Sequence, residues 1–163
     1  MQMIRVVDSI ACSEASLECD PWIPMKVTWE PRPLETPLYL RISGSNGGEV
    51  EVKVDPTTGM LVQVVVIEEP RQVSGTGPLP TEPKTQQHSP VIERTPWGLG
   101  HGSDGVNHSV SAVSAIEDIG FVRTADHIEL VFVDQKPARY VCCGNVAVAV
   151  SDQGGMAAIR ALL

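Results

Sequence analysis

Aromatic side chains are scarce in this chain, with three Trp, two Tyr and two Phe among 163 residues. Any core must therefore be built mainly from Val, Ile, Leu and Ala. Long apolar runs are lacking too, and none approaches the roughly 20 residues of a membrane-spanning helix. The opening MQMIRVVDSIACSEASLECD has no uninterrupted apolar block of the kind that marks a secretory leader. The expectation is a cytoplasmic protein with reduced thiols. Bases are outnumbered, 12 against 20 acids, for a net charge of −8. That balance argues against a surface for nucleic acid or anionic membrane, because phosphates attract Lys and Arg. It permits electrostatic steering of a basic protein partner, and it also serves solubility.

Signatures of catalysis are equally thin. The glycine-dense Trp97–Gly105 stretch lacks the Gly-Lys-Ser/Thr of a phosphate loop, and no GxSxG elbow occurs. Cys12 and Cys19 are not at a zinc-knuckle spacing. Adjacent Cys142 and Cys143 on a strand point to opposite faces, which suits one core thiol and leaves a vicinal redox pair open. His101, Asp104 and His108 lie close in sequence but match no common metal signature. Cys142 or Cys143 with His127 is a conceivable pair, though core packing explains a strand cysteine more simply. Glu68-Glu69 and Glu117-Asp118 read as solvated element ends. The chain is therefore read as non-enzymatic, with no cofactor and no metal.

What is present is a pattern that occurs twice. Glu49 to Ile67 reads EVEVKVDPTTGMLVQVVVI, and Asn145 to Leu163 reads NVAVAVSDQGGMAAIRALL. Superposed, Val50, Val52, Val54, Gly59 and Met60 fall on Val146, Val148, Val150, Gly155 and Met156. Each is a strand–turn–strand pattern. In the first, the valines share one face, while Glu49, Glu51, Lys53 and Asp55 share the other. Asp55-Pro56-Thr57-Thr58-Gly59 supplies turn chemistry. The return strand from Met60 is apolar on both faces, so it belongs inside a sheet. In the second copy Ala147 and Ala149 replace the charged residues, so its outer face should pack on something. Extended segments at Pro37–Ile42 and His127–Val133 precede the copies and suggest a three-stranded meander in each half.

The rest of the chain fits this frame. Met3 to Ala11 reads as a first strand, Ser13 to Asp20 as one helical turn capped by Ser13, and Met25 to Glu30 as a strand. Trp22 and Trp29 are expected to be buried or half-buried. Pro70 to Pro96 holds six of the thirteen prolines and reads as a linker or long surface loop. Val106 to Glu117 fits helix or strand, with a lean toward a helix over 107–118 ended by Gly120. Phe121–Thr124 and Ile128–Val133 read as strands. The predicted fold is mainly β: antiparallel sheet or sheets from two related strand-turn-strand halves, with at most one or two short helices. The halves are 1–69 and 97–163, bridged by 70–96, and they could form one composite domain.

The segment VEVKVDPTTGMLVQVVVI resembles a stretch recurrent in small acidic bacterial immunity proteins encoded beside secreted polymorphic toxins. The C-terminal Gly144-Asn145-Val146, with its alternating valines and Gly-Gly turn, is similar in style. The resemblance covers the two hairpins. It implies a cytoplasmic, non-catalytic protein that binds a cognate toxin, and it carries over no site residues. Charge suggests where: residues 1–69 have 11 acids and 5 bases, against 7 and 4 in 97–163. Glu14, Glu18 and Asp20 cluster beside Trp22, which makes them the candidate partner-binding residues. The expected partner is a basic toxin protein, with no nucleic acid or membrane, and the chain a monomer or small homo-oligomer. An assembly subunit of a bacterial complex is the alternative, and an enzyme using His101, His108 or a cysteine is a third class.

Overall fold

The computed structural model describes residues 4–77, 87–99 and 112–163. Its strands, in chain order, are β1 (Val6–Ala11), β2 (Glu14–Glu18), β3 (Met25–Glu30), β4 (Leu38–Gly44), β5 (Glu49–Val54), β6 (Leu61–Glu68), β7 (His88–Ile92), β8 (Ala112–Glu117), β9 (Ile119–Arg123), β10 (His127–Phe132), β11 (Pro137–Cys143), β12 (Val146–Ser151) and β13 (Met156–Leu162). Helix among the described residues is confined to one 3-10 turn, Thr95–Trp97. The fold is mainly β with antiparallel sheets. A six-stranded sheet runs β2-β3-β6-β5-β4-β8, a five-stranded sheet runs β11-β12-β13-β10-β9, and β1 pairs with β7. Among the strand pairs of the described residues, only β4–β8 is parallel.

Alternation in sequence becomes two faces in space. Val50, Val52 and Val54 of β5 are buried, while Glu51 receives Arg41 from β4 at 2.9 Å. The inward residues of both large sheets, among them Trp29, Leu40 and Val52 from one and Phe121, Leu130 and Val148 from the other, form one hydrophobic cluster. The molecule is therefore a β-sandwich over a shared aliphatic core. As the apolar pattern required, β6 is interior, between β3 and β5.

The first hairpin turn is built by its own residues. Asp55, grouped by sequence with the outward charges, is instead buried. Its carboxylate accepts from the Thr57 and Thr58 amides and from the Thr58 hydroxyl. Gly59 closes the turn at φ 81°, with its N–H on the Asp55 carbonyl. A Cβ there would stand 2.7 Å from the Ile92 carbonyl oxygen. Gly59→Ala should therefore cost about 1–3 kcal/mol, read as a lower urea midpoint, and an unchanged midpoint would contradict this account of the turn.

The two large sheets share a strand order. Adding seven to each number in β2-β3-β6-β5-β4 gives β9-β10-β13-β12-β11. In each, three consecutive strands form a meander and the preceding strand lies beside the last, which is a Greek key. The similar segments occupy matching places, β5–β6 and β12–β13. Their turns differ: the left-handed glycine of the second is Gly154, not Gly155, and Ser151 bonds Gly155 across a loop one residue shorter. The second meander begins with β11. The segment expected to start it, His127–Val133, supplies β10 beside the return strand β13.

Other expectations need correction. Ser13–Asp20 is not a helical turn, because Ala15 and Leu17 alternate toward the core and pair with Trp29 and Val27 on β3. The expected helix over 107–118 is a strand where it is described. Val113 and Ala115 of β8 pack on the core, and the free edge of β4 supplies backbone partners that outweigh a weak helical pattern. Residues 107–111 lie outside the described residues. The proline-rich segment contains β7, and its first part lies on the five-stranded sheet. Val73 N–H bonds the Phe121 carbonyl at 3.1 Å, and Phe121 N–H bonds the Arg71 carbonyl at 2.8 Å. Val73 packs where Gly120 has no side chain, since a Cβ there would lie 2.4 Å from it.

Candidate functional site

An open concavity lies where the edge of the six-stranded sheet meets the ends of β12 and β13. It measures about 810 Å³, with Ala15 to Asp20 and Ile23 on one wall and Asn145, Val146, Ala161, Leu162 and Leu163 on the other. β2 sets the first wall. Its residues alternate, so Ala15 and Leu17 face the sandwich interior while Glu14, Ser16 and Glu18 face out. Glu18 meets Lys26 of β3 at 3.3 Å.

Asp20 then folds the chain sharply. One carboxylate oxygen accepts the backbone N–H groups of Trp22 and Ile23, both at 2.7 Å. This Asx turn, with Pro21 inside it and Pro24 just after it, pushes Trp22 out. The indole is 88 % exposed, against the expectation that it would be covered. A proline on either side limits how the chain can fold back, and the core position goes instead to Trp29, 1 % exposed. Trp97 is also buried, its indole N–H on the Tyr39 carbonyl at 2.9 Å.

The structure thus brings Glu18 and Asp20 into one cleft wall with Trp22 directly beyond them. Glu14 stands apart, exposed at the opposite end of β2. Charge and composition pointed to this wall. The second wall carries no comparable signal, because its proximity to β2 depends on how the two sheets pack.

Of the candidate catalytic groups, Cys19 lies in this wall, and the other described ones lie elsewhere. His101, Asp104 and His108 lie outside the described residues. His127 contacts Thr124 at 3.2 Å at the start of β10, whereas Cys143 Sγ donates to Gln87 Oε1 at 3.1 Å at the end of β11. No group of three or more metal-ligating side chains occurs among the described residues. One contact went unforeseen: Ser9 Oγ lies 3.1 Å from His88 Nδ1 across the β1–β7 pair. Its partners are 79 residues apart, so no local pattern announces it. Among the described residues no carboxylate hydrogen-bonds His88.

Cys12 and Cys143 are both buried free thiols. Burial pushes both thiols up, Cys143 from 9.0 to about 12 with help from its neighbour Cys12. Neither suits a nucleophile, because the thiolate is the reactive form. A raised folded-state value means that Cys143 ionises first in the unfolded chain. Its contribution is therefore intact below about pH 9 and is lost as pH rises toward 12. Urea midpoints should fall across that window, with a shallower fall in Cys143→Ala. Equal slopes would assign the alkaline loss to other groups. Exposed Cys19 should react with a thiol reagent well before Cys12 or Cys143.

Fold and site define the class: a two-sheet antiparallel β-sandwich whose open edge carries carboxylates and a protruding tryptophan. No protein-family model matches the chain, and no curated protein matches it.

Proposed function

We propose that this chain is a non-catalytic binding protein, an immunity protein that docks on a basic bacterial toxin domain in the cytoplasm and occludes its active site. The observation that carries the reading is Trp22, 88 % exposed on a turn fixed by Asp20, between two residues, Asp20 and Ile23, that line an open cleft. A large aromatic left in water costs free energy unless something covers it. Aromatics ringed by polar groups are the usual anchors of protein interfaces. Glu18 and Asp20 beside it, with Glu14 at the far end of β2, complement a basic surface and speed encounter with it. The resemblance of the two hairpins to immunity proteins agrees with both features.

The test is co-expression with the toxin domain encoded beside this gene. The expected result is growth protection and a stable stoichiometric complex by size exclusion with light scattering. Neither protection nor complex formation would overturn the reading. An assembly subunit was the alternative because Ala147 and Ala149 leave an uncharged outer face. Both alanines are already buried within the single chain, so that face does not call for a second one.

A further inference from the structure

β2 has one partner strand. It pairs with β3, and its other edge meets no strand among the described residues. Such an edge offers a row of N–H and C=O groups to an incoming strand. The cleft runs along this edge, so there is room for one. We propose that β2 accepts a short extended segment of the partner as a further strand of the six-stranded sheet. The segment would carry basic residues at the first and fifth positions of its core and apolar residues at the second and fourth. This inference rests on the binding role argued above and names the form that the contact takes.

The side-chain order of β2 specifies that segment. Glu14, Ser16 and Glu18 lie on the solvent face, in register with Glu30, Thr28 and Lys26 of β3. A neighbouring strand in register sets its own first, third and fifth residues beside them. Lys or Arg at each end answers two exposed carboxylates, and a small polar residue answers Ser16. Ala15 and Leu17 lie on the other face, beside the buried Trp29 and Val27. Apolar residues at the second and fourth positions would enter the cleft between Leu17 and the wall formed by Val146, Ala161 and Leu162.

The same order disfavours a second copy of this chain as the occupant. Antiparallel self-pairing centred on Ser16 sets Glu14 of one copy opposite Glu18 of the other, twice, with like charges facing. Acidic ends on an exposed edge are a common guard against self-association.

The experiment uses the full chain and three blocked ten-residue peptides. One has a Lys-Val-Thr-Val-Lys core, one has both lysines replaced by glutamate, and one keeps the lysines but has N-methylated backbone amides on one edge. The lysine peptide should shift the NMR amide signals of residues 14–18 and bind at least tenfold more tightly than the glutamate peptide. N-methylation should abolish binding, and the E14K/E18K variant should reverse the charge preference. Equal binding of the N-methylated peptide, or no shift in β2 at millimolar lysine peptide, would overturn the inference. Dimerisation of the free chain through β2 would do the same. Amide exchange then separates this failure from that of the binding role. A toxin-domain complex in which the β2 amides exchange as freely as in the isolated chain removes strand addition and keeps the role. Absence of any complex removes both.

Discussion

Arg160→Met is expected to lower stability by about 3–5 kcal/mol, because it leaves a buried carboxylate without its cation. Glu129 is fully buried on β10, and Arg160 is almost so on the neighbouring β13. Arg160 Nε donates to Glu129 Oε2 at 2.6 Å. The other carboxylate oxygen accepts the Thr76 N–H at 2.9 Å, while Arg160 Nη2 reaches the Thr76 hydroxyl and the Gly77 carbonyl. The pair thus joins two strands to the segment that crosses them. Taking two charges out of water is costly, so the intact pair adds little net stability, but removal of one member leaves the whole penalty on the other. The double variant Arg160→Met/Glu129→Leu should therefore be much less destabilised than the sum of the singles. Urea unfolding of the four proteins in the cycle measures this directly. A loss below about 1 kcal/mol for Arg160→Met, or strict additivity, would show that the pair is solvated in solution.

The sequence exposed those parts of the fold that depend on near neighbours along the chain. Val50, Val52 and Val54 announce a half-buried strand by their period of two, and Asp55 to Gly59 announce the turn. The same reasoning found β12 and anticipated that Ala147 and Ala149 would be covered. It missed features decided between distant segments. β8 has a helix-compatible pattern and becomes a strand because β4 leaves a parallel edge open beside it. Residues 70–77 look like linker by composition, yet Gly120 supplies the hollow that Val73 fills, and Arg160 and Glu129 supply the polar anchors. Glu129 is buried beside a partner 31 residues away that no local pattern announces. The candidate site divides in the same way. Its acidic wall was readable as a local cluster, whereas the opposite wall comes from the far end of the chain.

Trp29→Ala and Trp22→Ala should separate folding from binding. Trp29 lies in the shared core, 1 % exposed, near the end of β3. Its truncation leaves a cavity that aliphatic neighbours on two sheets cannot close, at a cost of about 3–5 kcal/mol. A domain of this size has roughly 5–15 kcal/mol in all, so this variant should be largely unfolded at a denaturant concentration that the wild type survives. Trp22 packs on little, and its removal should change stability by no more than about 0.5 kcal/mol. If that indole anchors the toxin domain, its loss should weaken the complex by about 2–4 kcal/mol, or roughly 30- to 1000-fold. The two variants must therefore fail different assays, one by denaturant titration and the other by calorimetric binding. A Trp22→Ala protein that binds as the wild type does would place the interface away from the β2 edge. One that unfolds early would mean that the indole, exposed as it is, holds the Asp20 turn in place.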